Sequence, residues 1–517
     1  MRSLSAYMKA HIQSQPHKYS VRKMIVCRNR EAYENWLHEL HKQGITPLKQ
    51  IPSALTICCH MNPDKELHTS SYHPSIRKVE TDRQARIHRW SNGWVRPLAS
   101  AADAYSPTFT SKSMKEVKVK LPQIPWNIHA VEAPKVWKQT KGEGIKIAII
   151  DTGISEHPNL KIAGGINMIN RLESYEDDNG HGTHVAGIAA AIGHQRMPFG
   201  VAPDIQLYGI KALDNTGTGY VSDIVDAIEW CIHQRIHIIN MSLGLDDPSD
   251  VLRRSIIRAN QKGIIVVASA GNDGPDTLSV DEPAKYPETI AVAAMNAKHE
   301  VASFSSRGKE VDVIAPGEHI VSTNHKNGFA IESGTSMAAP HVAGAVALLL
   351  SLHGALSPDE VLKLLMNTAE PLKNTNERSQ GSGLIQTMKA LQAAPQHATV
   401  SRRSFSRRLT AAYKLERTRS KRGKPQPIYS RPIFGIALSK NMKYRAKASA
   451  KVTSRHRGDK TNVQAKREKV IKKPVRSIKS NTKKKSAHIR KQLASPSPLK
   501  KQMNIQSAPK RRWRYSK

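Results

Sequence analysis

The 517-residue sequence predicts an α/β protein with a parallel central sheet covered by helices on both faces. A small α+β module precedes this domain and a disordered basic tail follows it. Two observations lead there. Apolar runs alternate with helical patterns between residues 122 and 396, as in a sheet built from crossover units. The charge is segregated: of a net +38, +35 lies in residues 401–517, where 38 Lys and Arg face three acids (Glu416, Asp459 and Glu468).

In chain order, residues 1–21 read as an N-terminal extension and 22–88 as a module of β-α-β-β-α-β order. Its strand candidates are 24–27, 46–51, 54–61 and 76–81. One helix, 31–43, places Ala32, Trp36, Leu37 and Leu40 at helical spacing, and a polar helical piece starts at Pro63. Residues 89–121 turn to Ser, Ala, Thr, Lys and Pro without a period, the composition of an exposed and cleavable linker. The domain at 122–396 has strand candidates at 145–150, 205–211, 236–241, 264–268 and 290–294. Its helical patterns are 181–192, 221–233, 248–261, 336–352 and 358–367. That length can bury roughly three quarters of the unfolded surface in one unit. Residues 397–517 lack the apolar content to offset the entropy of ordering and are expected to be disordered.

Composition also excludes classes. The most apolar stretches, 145–150 and 343–352, are too short to span a bilayer and read as buried elements. The first twenty residues have no continuous apolar run of seven, so they lack the core of a secretory signal. Cys27, Cys58, Cys59 and Cys231 have neither disulfide-framework nor metal-site spacing and are expected to be reduced and buried. A cytoplasmic location is expected, with release or surface association by a non-signal route as the alternative.

Four short motifs carry chemistry. Asp151 ends an apolar strand, which places a carboxylate at the sheet edge where α/β proteins bind ligands; alone it reads as well as a capping Asp. His181 opens a helix rich in small residues, H-G-T-H-V-A-G. Ser336 stands at a Gly-rich helix start, G-T-S-M-A-A-P-H-V-A-G. There its own N–H is an unpaired first-turn donor that could hold an oxyanion, whereas a plain N-cap Ser is the alternative. Asn272, in A-G-N, lies just past a buried strand and offers a second donor.

The order D-T-G-I, H-G-T-H-V-A-G, A-G-N, G-T-S-M-A-A-P-H-V-A-G resembles the subtilisin-like serine proteases over residues 123–393. The resemblance implies a serine endopeptidase acting on polypeptides. It implies Ser336 as nucleophile, His181 as general base, Asp151 as its orienting carboxylate and Asn272 in the oxyanion hole. It further implies a substrate strand held between Ser242, Leu243 and Gly244 on one side and Leu213 and Gly217 on the other. The 22–88 module would be an inhibitory prodomain, processed in the 89–121 linker. Asp273, with Asp281 and Glu282, is expected to favour a basic or polar side chain before the scissile bond. No cofactor is required. Family members that bind calcium use an entrance Gln and an Asp; here Gln123 is matched, Asn159 replaces the Asp, and the loop at 192–198 carries Arg196, so calcium is expected to bind weakly or not at all. The tail, which ends with Trp513 and Tyr515 among arginines, is expected to bind a polyanion, either nucleic acid or an anionic surface polymer.

Overall fold

Residues up to 88 are organised by a four-stranded antiparallel sheet in the order 49–51, 56–61, 21–27, 76–81. The computed structural model describes residues 3–13, 20–62, 73–88, the backbone of 96–97, and 122–395 apart from 246, 277 and 355. The tail at 397–517, the helical piece expected from residue 63 and most of the linker lie outside the described residues.

The module's elements are α1 (Leu4–His11), β1 (Val21–Cys27), α2 (Arg30–Lys42), β2 (Lys49–Ile51), β3 (Thr56–Met61) and β4 (Ile76–Thr81). The Asn29 side chain accepts from Ala32 N at 2.8 Å and so caps the start of α2. Its Tyr33, Trp36 and Leu40 are buried with Ile25, Ile57 and Cys59 from the sheet. Residues 1–21 are more than an extension, because α1 buries Tyr7 and Met8 in this same core. Two further strands precede the large domain. β5 (Gln84–Arg86) leaves the module's sheet, and β6 (Arg96–Pro97) is short.

The large domain opens with the short helices α3 (Trp126–Ala130) and α4 (Ala133–Val136). Then follow β7 (Lys146–Asp151), β8 (Ile162–Asn167), α5 (His181–Ala190), β9 (Gln206–Lys211), β10 (Thr218–Tyr220), α6 (Val221–His233), β11 (Ile238–Met241), α7 (Asp250–Gln261), β12 (Ile265–Ser269) and β13 (Ile290–Met295). After β14 (Val313–Pro316), the hairpin β15 (Ile320–Thr323) and β16 (Phe329–Glu332) leads into α8 (Thr335–His353); α9 (Pro358–Thr368), α10 (Glu377–Gln380) and α11 (Thr387–Ala393) close the domain. Seven parallel strands pair in the order β14-β13-β12-β11-β7-β9-β8.

The period-two pattern of a strand explains why both faces are covered. Ile147 and Ile149 of β7 join one core, with Val185 and Ile188 of α5 and Val342 and Val346 of α8. Ala148 and Ile150 join the other, with Ile224 and Ile228 of α6 and Leu252 and Ile256 of α7. The module belongs to that second core, contributing Met24, Val26, Ile51, Ala54, Cys58 and Ala85.

Several features depart from the sequence reading, among them the short strands β5, β10, β15 and β16. β8 was not anticipated because Gly164 and Gly165 interrupt its apolar pattern, nor was β14, which has four residues and ends in Pro316. α8, by length and composition, is long and apolar enough to cross a membrane, contrary to the expectation that no stretch would be; 89% of that window is buried inside the fold. All four cysteines are free and buried.

Candidate active site

Because the strands are parallel, the carboxyl ends of β7, β11 and β12 share one edge of the sheet. Asp151 ends β7, Ser242 follows β11 and Asn272 follows β12, while His181 and Ser336 are brought there by the starts of α5 and α8. Asp151 is the last residue of β7 and is fully buried. Its Oδ1 accepts from Thr152 N at 2.7 Å and pairs with His181 Nδ1 at 2.8 Å. His181 is the first residue of α5, and the preceding Gly180 has φ 113°, a left-handed conformation open to glycine. A Cβ there would also lie 2.5 Å from His325 Nδ1. His181 Nε2 has no hydrogen-bond partner among the described residues.

Ser336 sits in the first turn of α8, where an N–H has no acceptor within the helix. Pro340 lies four residues further on and has no N–H to give to the Ser336 carbonyl. The Ser242 hydroxyl donates to that carbonyl instead, at 2.9 Å, while Ser336 Oγ donates to Ser242 O at 3.4 Å. Ser242, expected beside the substrate strand, is therefore also bonded to the helix that carries Ser336. A direct Ser336–His181 hydrogen bond is not formed.

Asn272 is held by a residue the sequence reading did not single out. Its Oδ1 accepts from Thr335 N and from Thr335 Oγ1, both at 3.0 Å, which leaves Nδ2 to donate elsewhere. The motif G-T-S carried that signal, since Thr335 is the residue before the serine.

The atom that meets Asn272 Nδ2 is the carbonyl oxygen of His88, at 3.2 Å. Residues 83–88 run through the cleft as an added strand. β5 is antiparallel to β10, with Val221 N donating to Arg83 O at 2.9 Å. On the other side Arg86 N donates to Gly244 O at 3.0 Å, and Gly244 N to Arg86 O at 2.8 Å. Ile87 N donates to Gly217 O at 2.9 Å. Gly244 and Gly217 thus hold the strand through backbone bonds, while Leu213 and Leu243 are buried beneath it. His88 Nδ1 lies 3.0 Å from Asp281 Oδ2, and its side chain is 4% exposed.

Of the three acids expected near this pocket, Asp281 is the one that faces His88. Asp273 is exposed, its backbone N–H on Ser306 Oγ at 3.0 Å. Glu282 is buried elsewhere, against the Tyr286 hydroxyl and Ser249 N.

Other module residues meet helix starts on the large domain. Asp82 accepts from Ser222 N at 2.9 Å and Ser222 Oγ at 2.8 Å, capping α6, whose own N-cap residue Tyr220 makes no side-chain cap. Glu80 does this at the start of α7 through Ser249 Oγ and Asp250 N. Lys49 pairs with Asp223 and Lys78 with Asp250.

Asn159 is buried with both ends of its amide used. Oδ1 accepts from His194 N at 2.9 Å, Nδ2 donates to Pro198 O at 2.7 Å, and its backbone carbonyl accepts from Ile192 N at 2.9 Å. Gln123 is exposed, and its carbonyl accepts from Phe199 N at 2.9 Å. An N–H donor cannot ligate a cation, and here it occupies the Pro198 carbonyl, which could. No group of three or more His, Cys, Asp or Glu suited to a metal occurs among the described residues.

A family model described as the subtilase family matches residues 142–383. Subtilisin E of Bacillus subtilis strain 168 is 40% identical over 321 residues, 58% of this chain and 84% of that protein. Subtilisin Savinase of Lederbergia lenta is 41% identical over 263 residues, 51% of this chain and 96% of that protein. An alkaline protease of Alkalihalobacillus alcalophilus is 41% identical over 271 residues, covering 52% and 70% respectively.

Proposed function

The chain belongs to the subtilase family and is a serine-type endopeptidase, and from that premise we propose that it works through Asp151, His181 and Ser336 and first cuts itself after His88. The observation that carries this reading is the strand at 83–88, whose last described carbonyl accepts from the Asn272 amide as a scissile carbonyl would. Ser336 Oγ attacks that carbonyl carbon while His181 Nε2 takes the hydroxyl proton. The oxyanion is held by Asn272 Nδ2–H and Ser336 N–H. His181 then gives the proton to the leaving amine of Arg89, and the acyl-enzyme at His88 is released by a water that His181 deprotonates. Asp151 keeps the proton of the neutral imidazole on Nδ1, so that Nε2 is the base.

The module, once cut, stays as an inhibitor because its strand fills the cleft and its acids cap α6 and α7. The bond proposed lies at the N-terminal border of the 89–121 linker, not inside it. A serine-directed fluorophosphonate probe tests the reading: it should label wild type once the module is lost. Absence of labelling from protein freed of residues 1–88 would contradict it.

Calcium has no part in this proposal. The Asn159 amide ties the 192–198 loop together by hydrogen bonds, which is the task a cation would otherwise perform there. EDTA should leave activity and Tm unchanged; a Tm that rises with calcium concentration would show a cation that binds the folded state.

The tail is proposed as a polyanion tether, on its net charge of +35. Retention of the full chain on a polyanion column should fall steeply as salt rises, through counterion release, and salt-independent retention would refute the tether.

A further inference from the structure

Asp281 sits where the pocket for the side chain preceding the scissile bond must be, and its surroundings bring its charge within reach of a short side chain. Its backbone is fixed by Asp281 N donating to Ala270 O at 2.9 Å. Two glycines make room for the carboxylate. A Cβ on Gly244 would come within 2.8 Å of Asp281 Oδ2, and one on Gly271 within 2.9 Å. Among the described residues its ion-pair partner is His88. With His88 in place the carboxylate is 23% exposed; an apolar ring in the same position would cover it without pairing it, a cost that such a ligand cannot relieve.

The contact is made at Nδ1, an atom only three bonds from Cα. The pocket's charge is therefore set at the depth of an imidazole and not at the end of a long aliphatic stem. The rest of the strand gives the neighbouring preferences. Ala85 is fully buried, Arg86 is exposed, and a Cβ on Gly217 would lie 2.7 Å from Ile87 Cδ1.

We propose that Asp281 is a specificity-determining residue that selects histidine immediately before the scissile bond. The enzyme then acts on polypeptides bearing a small residue, any residue, a β-branched residue and histidine in succession. This inference rests on the proteolytic reading above and narrows it to a substrate class. Phenylalanine, a ring of similar size without an N–H, is the informative competitor, because it leaves the carboxylate unpaired.

The test uses protein expressed as the full chain, self-processed and then freed of residues 1–88, with active sites titrated on a separate aliquot by the fluorophosphonate probe, and two peptides Ala-Arg-Ile-His and Ala-Arg-Ile-Phe on the same fluorogenic leaving group. Wild type should cleave the His peptide with kcat/KM at least about tenfold above the Phe peptide, the scale of a hydrogen bond to a charged group. In Asp281→Gly and Asp281→Asn that His/Phe ratio should fall by at least about tenfold in Gly and by less in Asn, which keeps an acceptor oxygen. Because the ratio is taken per titrated site, loss of folded protein does not mimic the effect. A wild-type ratio at or below one, or a ratio unmoved in Asp281→Gly, would overturn the assignment while the proteolytic reading stands. Neither labelling nor cleavage of either peptide would overturn both.

Discussion

Ser336→Ala should lower peptide turnover about a millionfold and abolish fluorophosphonate labelling. Alanine removes the attacking oxygen but leaves the backbone N–H of residue 336, the Asn272 amide and the strand-binding edges at Gly217 and Gly244 in place. Residual catalysis of about a thousandfold over water is therefore expected from the oxyanion hole and substrate binding alone. Adding His181→Ala should cost little more, since the two residues act as one unit. The check is kcat for a fluorogenic peptide in the single and double variants. Turnover within tenfold of wild type in Ser336→Ala would identify some other group as the nucleophile.

Asp151→Asn should cost about ten-thousandfold in kcat, because an amide at that position donates to Nδ1 and drives the imidazole proton onto Nε2, where the base is needed. The same substitution should change the pH profile. Burial of His181 favours its neutral form and pulls its pKa down. The negative charge and hydrogen bond of Asp151 outweigh that, Glu332 and Asp177 add to it, and the result is a value raised to about 9. The sign follows from the role: a general base must be neutral, so wild-type kcat/KM should rise with pH through about 9 and level off above it. Without the Asp151 charge the imidazole loses its proton at lower pH, and the residual activity should rise over a lower pH range. A limb that stays in place in Asp151→Asn would assign the titration to another group.

How much was legible in the sequence depended on whether the signal was local. The Asp151 strand, the His181 helix and the Ser336 helix were legible because each is a contiguous apolar element with a chemically marked end. The two-sided burial of β7 follows from its unbroken run of Ile and Ala. β8 and β14 were not legible, one broken by paired glycines and the other too short to show a period. β5 was missed for a different reason. Its partners are β10 and Gly244, more than 130 residues away, and a strand that completes no local hairpin leaves no pattern beyond Gln84, Ala85 and Arg86. The linker was placed from residue 89 on composition alone, yet what precedes it, His88, turned out to sit at the Asn272 amide. The acids near the pocket were visible as Asp273, Asp281 and Glu282, but which of them faces the cleft is set by the loop that returns Asp281 beside Ala270, a tertiary fact. Asn159 was legible as a departure from the calcium-binding pattern, though not the hydrogen bonds through which it ties its loop.

The most direct test of the central claim, that the chain holds residues 83–88 as its first substrate, is the intact mass of the fragments formed when wild type and Ser336→Ala are expressed side by side. The account predicts a fragment ending at His88 and a new N-terminus at Arg89 in wild type, with Ser336→Ala uncut. A first cut elsewhere in the chain, or the same cut in Ser336→Ala, would contradict it.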